Sequence, residues 1–254
     1  MSGSGSPGPA ESAGQPEPVD RLPPEPRWGL GDVAVGIVAS ILLSTLIGSL
    51  ILGLAGWRTS ADVPVWGMAL LQVPLWADYL GVTAWATATK GDGPLLGIGA
   101  SMRWFDVPVG LAIGVVTQLL VLPPLYLPIF RLTGTSEEEL SAPAEALAER
   151  AGSAASWVLF AVLVGLCAPV VEELFYRGLF LRSLTKRGMP PWSAVVVSAA
   201  VFGAIHFQVL QFAGLFTFGL IAGTLASFTQ RLGSAVFAHV GFNMTTVVLL
   251  YLSA

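Results

Sequence analysis

Apolar residues run along this chain in long stretches with few interruptions. Seven of them reach or approach the ~20 residues that a helix needs to cross a hydrocarbon core of ~30 Å. They extend from about Val33 to Ala55, Val65 to Thr89, Val107 to Phe130, Ala154 to Leu184, Trp192 to Gln208, Gly214 to Thr229 and Ser234 to Leu252. The pattern predicts an all-α, polytopic transmembrane helical bundle of about seven spans. The fourth stretch is longer than a bilayer requires, so it is expected to tilt or to project.

The polar segments between these runs set the organisation. Residues 1–27, rich in Pro, Gly, Ser and Glu and without an apolar core of signal-peptide length, are expected to form a disordered tail. Residues 28–254 then form the transmembrane domain, with the first span as an uncleaved anchor. Trp57 and Trp66 flank a short turn, "GWRTSADVP", where aromatic rings favour the membrane interface. "KGDGPLLGIGASMRWFD" is too short and too Gly-rich to span and reads as a loop with a brief interfacial helix. The segment 133–152, with Glu137, Glu138, Glu139, Glu145 and Glu149, reads as a solvated helical cap whose charge solubilises it.

Composition agrees. Of 254 residues, 54% are hydrophobic and 11% charged, against about 25% charged in a soluble domain. The formal charge of -4 sits largely in the tail and the acidic loop, and nucleic acid is not an expected partner. Cys167, the single cysteine, lies in an apolar run and reads as a packed small side chain. Lys and Arg accumulate in cytoplasmic loops. With the tail inside, Arg21, Arg27, Lys90, Arg103, Arg182, Lys186, Arg187 and Arg231 are cytoplasmic, and only Arg58, Arg131 and Arg150 face out. The expected protein is an integral, multi-pass plasma-membrane protein with a cytoplasmic N-terminus.

Against this background "VVEELFYRGLF" stands out, because an ionisable side chain at membrane depth costs roughly 2.5 to 3.5 kcal/mol on insertion scales. Residues four apart share a helix face, so Arg177 can pair with Glu173, while Glu172 is turned about 100° away and can face a cavity. Pro169 removes a helix hydrogen bond just before them. The same spacing recurs in "FGAIH", with Phe202 and His206, and in "HVGFN", with His239 and Asn243. Gly203, Ala204 and Gly241 permit close helix approach. A carboxylate, the chain's only two imidazoles and a carboxamide can thus converge, which are the parts for peptide hydrolysis. Glu172 can take a proton from water, His206 can hold that water, and His239 with Asn243 can donate to the oxyanion at about 3 kcal/mol per donor.

The ordered pattern EExxxR, FxxxH and HxxxN on separate membrane helices resembles the type II CAAX prenyl endopeptidase family and its bacterial relatives, the CPBP or ABI intramembrane proteases. The resemblance covers roughly residues 153–252, as a catalytic core, and every motif position matches. It implies an all-helical membrane endopeptidase in which Glu172 and His206 activate water, His239 and Asn243 form the oxyanion site, and Glu173 with Arg177 is the structural pair. The substrate implied is a peptide or a membrane-associated protein, in some members lipidated. Members have been labelled metalloproteases, but a metal-free glutamate mechanism is the favoured reading because HExxH is absent. Glu172, His206 and His239 could supply three zinc ligands with water in the fourth position.

Two other classes use the same residues. Buried Glu and His mark ion pathways in transporters and proton relays; confinement of the charges to the C-terminal half, with no inverted repeat, disfavours that reading. An inactive scaffold is disfavoured by the complete motif set.

Overall fold

The computed structural model describes residues 27–59 and 62–254. The tail expected to be disordered thus falls almost wholly outside the described residues. All regular structure among them is helical. We number the helices α1 Leu30–Ala55, α2 Val65–Lys90, α3 Asp106–Thr133, α4 Glu137–Ala148, α5 Ala154–Lys186, α6 Pro191–Ala204, α7 Phe212–Thr229 and α8 Gly233–Ser253. Five of them, α1, α3, α5, α7 and α8, are long and apolar enough to cross a membrane. With α2 and the shorter apolar α6, seven spans are accounted for. Their outward faces carry Leu46, Leu50, Leu120, Val158 and Phe228, the lipid-facing surface of an integral membrane protein.

Local chemistry ends these helices where the sequence allows. The Gly29 amide donates to Asp32 Oδ2 at 2.9 Å to cap α1, and Gly56 closes it in the left-handed conformation at φ 74°. Ser136 caps α4, its hydroxyl accepting from the Glu139 amide at 3.2 Å. The acidic helix α4 is the cap expected from 133–152.

Three close helix crossings build the bundle. A Cβ at Gly110 would lie 2.7 Å from that of Phe237, and one at Gly241 would lie 2.5 Å from the Leu111 carbonyl oxygen, so α3 and α8 meet backbone to backbone. Gly219 stands likewise against Ala199, joining α7 to α6. Gly36 leaves room for the Phe175 ring, bringing α1 onto α5. Without a hydrophobic force between helices in lipid, such small-residue contacts supply much of the packing. At the centre, α5 touches α1, α2, α6, α7 and α8.

Two expectations are corrected. The "KGDGPLLGIGASMRWFD" segment forms turns with no helix before Asp106. Instead its Gly99 and Ser101 carbonyls accept from the amides of Leu232 (2.9 Å) and Gly233 (3.1 Å). Fully buried Asp106 accepts from Arg231 Nη2 at 3.0 Å, from the Ser234 hydroxyl at 2.6 Å and from the Arg103 amide at 2.7 Å. These bonds pull the starts of α3 and α8 into the protein. The fifth span also ends earlier than expected, at Ala204 rather than Gln208. The chain must turn back within a few residues to enter α7, and Phe207 takes a positive φ of 54° to do so.

Candidate active site

The site is built on an irregular helix. Within α5, Leu163–Cys167 and Leu174–Phe180 are wide, π-type turns that flank Glu172 and Glu173. Pro169 explains the first. In the wide turn each amide reaches back five residues, as the Ala168 amide does to the Leu163 carbonyl. The next amide would serve Val164, but it belongs to proline and does not exist. The orphaned Val164 carbonyl is taken instead by the side chain of Asn243, whose Nδ2 donates to it at 2.8 Å from α8.

Glu173 and Arg177 are both 0% exposed and pair at 3.0 Å, as their spacing implies. Arg177 also donates from Nη2 to the Gly219 carbonyl on α7 at 3.4 Å and stacks on the Phe202 ring at 4.4 Å. A further contact was not legible from the spacing. The Glu173 oxygen that accepts from Arg177 lies 2.9 Å from His239 Nδ1. A carboxylate can only accept, so Nδ1 carries the proton and the ring is held by a charged anchor. Its other nitrogen, Nε2, then faces Glu172 Oε2 at 3.9 Å. Glu172 retains 14% side-chain exposure. Phe218 packs on the same imidazole at 4.6 Å between centroids.

His206 sits just beyond the end of α6 rather than on it. Its Nδ1 donates to the Phe202 carbonyl at 2.7 Å, which leaves Nε2 as the free acceptor in the neutral ring. Among the described residues it makes no hydrogen bond or ion pair with either glutamate. The Phe202 ring links it to the cluster, with centroids 4.9 Å from His206 and 5.8 Å from His239.

Depth along the helices is reconciled by the buried start of α8. Taking ~1.5 Å per residue, Glu172 lies about 21 Å from Lys186 along α5, whereas His239 lies only about 9 Å from Gly233. The Gly99–Leu232 and Ser101–Gly233 bonds set Gly233 deep enough for the two side chains to face each other.

The three candidate zinc ligands do not form a set here. His239 is bonded through Nδ1 to Glu173, His206 is separated from it by Phe202, and no group of three His, Cys, Asp or Glu among the described residues is disposed to hold a metal ion. A concavity of about 1000 Å³ lies elsewhere, between α4, the start of α5 and the end of α8 around Glu149, Trp157 and Tyr251.

The arrangement defines an integral membrane bundle with an acid–base cluster buried at one helix junction. Residues 154–245, which carry all seven motif side chains, match the family model described as Type II CAAX prenyl endopeptidase Rce1-like. No curated protein and no solved structure matches the chain.

Proposed function

We propose that the protein is an intramembrane endopeptidase that hydrolyses a peptide bond with water activated by Glu172 and His206. The observation that carries this reading is the facing pair Glu172 Oε2 and His239 Nε2, 3.9 Å apart, with the imidazole anchored from behind by Glu173. An anchored imidazole beside a partly exposed carboxylate is the orientation that acid–base catalysis needs.

Glu172 takes a proton from a water that the free Nε2 of His206 holds as acceptor. The oxygen attacks the scissile carbonyl carbon, and the carbonyl electron pair moves to its oxygen. That oxyanion accepts from His239 Nε2–H and from the second amide hydrogen of Asn243, the first being committed to Val164. Charge balance supports a doubly protonated His239 at this stage. With Glu172 protonated, Glu173 and the oxyanion carry two negative charges against the one positive charge of Arg177 in a low-dielectric site, and an imidazolium supplies the second. The tetrahedral intermediate then collapses, the C–N bond breaks, and the proton held by Glu172 passes to the leaving amine.

The substrate is a peptide or the end of a membrane-associated protein, with lipidated termini as the class suggested by the family description. The N-terminus faces the cytoplasm of a plasma-membrane protein, in line with the basic residues at the ends of α2, α5 and α7.

The test uses purified wild type and Glu172→Ala in detergent, each offered fluorogenic peptides with and without a lipid tail, with chelator varied. Cleavage by wild type and a loss of about 10²-fold or more in the variant is expected. Equal cleavage by the two proteins removes Glu172 from the mechanism, and inhibition by chelator reintroduces a metal. Solute flux that depends on Glu172, without any cleavage, assigns the protein to the transporters.

A further inference from the structure

The family match begins at residue 154 and leaves α3 and α4 without a role. Both reach the turn that carries His206. This turn, residues 205–211, joins α6 to α7 and packs little against the rest of the protein, with Phe207 76% exposed and Val209 90% exposed. A segment with so few buried contacts depends on its hydrogen bonds for position. Two of them tie it to neighbouring helices. Tyr126, buried on α3, donates its hydroxyl to the Leu210 carbonyl at 3.0 Å. Gln211 donates from Nε2 to the Leu140 carbonyl of α4 at 3.2 Å.

The directions of the Tyr126 bonds are fixed. The Gly214 amide can only donate, and it reaches the phenol oxygen at 2.9 Å; the Leu210 carbonyl can only accept, so it takes the phenol hydrogen. The phenol oxygen thereby caps α7. Gly214 is the third residue of that helix, where an amide has no partner within the helix, and Gln211 at the cap position makes no capping bond with its side chain. What Ser or Asp usually supplies from the same chain segment comes here from α3. The approach requires glycine. A Cβ at position 214 would lie 2.8 Å from the phenol oxygen.

We infer that Tyr126 is a positioning residue for His206, which it holds in place by bonding the end of the 205–211 turn to the start of α7. The inference rests on the proposed peptidase reading. His206 stands between two anchors. On one side its Nδ1 is bonded to the Phe202 carbonyl of α6, and on the other, four residues on, Leu210 is bonded to Tyr126. The first bond decides which nitrogen is free, and the second keeps the turn from carrying that nitrogen away from the water it holds. A displacement of about 1 Å in a reacting group can cost about 10²-fold in rate.

The experiment compares wild type, Tyr126→Phe, Gly214→Ala and the double variant in detergent. Phenylalanine keeps the ring and its stack on Phe130, with centroids 5.5 Å apart, and removes only the hydroxyl. With the fluorogenic peptides, kcat is expected to fall by about tenfold in Tyr126→Phe, with KM within about twofold. Gly214→Ala displaces the same hydroxyl and is expected to lose a similar factor, while the double variant is no worse than the poorer single one. Unchanged kcat in Tyr126→Phe, beside an active wild type, overturns the inference and leaves the peptidase reading intact. If wild type cleaves nothing, imidazole NMR decides the inference separately. The chain has two histidines, so the His206 signals are assigned by their loss in His206→Gln. They should shift or broaden in Tyr126→Phe while those of His239 stay in place. Unmoved His206 signals overturn the inference, and so does equal displacement of both rings, which a general loosening of the bundle would give.

Discussion

At the scale of single residues, the cluster sets the fully buried Glu173 and Arg177 apart from Glu172, which keeps 14% side-chain exposure. Arg177 uses Nη1 on Glu173, Nη2 on Gly219 and its flat face on Phe202. Removing one partner of a buried pair strands the other charge at about 3–5 kcal/mol. Arg177→Met and Glu173→Gln are therefore expected to lower the melting temperature in detergent sharply, whereas Glu172→Gln should abolish cleavage with little thermal effect. Comparable thermal losses in all three variants would contradict this division. Arg177→Lys should not rescue, because an ammonium cannot reproduce the fork and the stacked plane together. Spacing alone announced the Glu173–Arg177 pair, since both lie on one helix. It could not announce that the same Glu173 oxygen also takes His239, because that contact joins residues 66 positions apart on different helices.

Among elements, α5 shows how a proline in one helix specifies a side chain in another. Pro169 leaves the Val164 carbonyl without an amide, and Asn243 supplies the missing donor. Pro169→Ala restores an N–H that can compete for that carbonyl. The expected result is a fall in cleavage of roughly tenfold or more with stability kept or raised, because the carboxamide loses its anchor while the helix gains a bond. Asn243→Ala should instead cost about 1–3 kcal/mol of stability, the penalty for an unpaired buried acceptor. The two substitutions should be non-additive in a double-mutant cycle read by thermal unfolding; simple additivity would separate the proline from the asparagine. The helix-opening effect of Pro169 was legible in the sequence, but its beneficiary was not. The end of α6 was misplaced for a related reason. Apolarity continues through Phe207, Val209 and Leu210, so hydropathy extended the span to Gln208, while the chain reversal that stops it is a demand of tertiary connection.

For the whole molecule, the sequence carried the architecture well. All seven spans lie within a few residues of their expected places, because hydrocarbon thickness fixes helix length regardless of packing. The inward tuck of the 95–104 segment was missed, since the charged residues Asp106 and Arg231 that hold it mark two span ends as far as composition can tell. The orientation proposed from the distribution of Lys and Arg has a direct check. In a background where Cys167 is replaced by serine, Ser12→Cys and Arg187→Cys should react with a membrane-impermeant maleimide from the cytoplasmic side, and Ser141→Cys from the other. Labelling of Ser12→Cys and Ser141→Cys from one side would mean that an even number of helices separates them.

The cis pairing of Glu173 with Arg177 also bears on how the chain is made. Helix α5 leaves the ribosome before α6, α7 and α8, and must enter lipid with its charges before any neighbour can meet them. Two of the three cancel within one helical turn, so the translocon receives a segment close to neutral. Glu172 waits for His239, which is synthesised more than sixty residues later. A chain stopped before Gly233 should accordingly insert, then be cleared by membrane quality-control proteolysis faster than the full chain, a difference that pulse-chase labelling would read. Equal lifetimes would mean that the nascent bundle tolerates its lone carboxyl until the end.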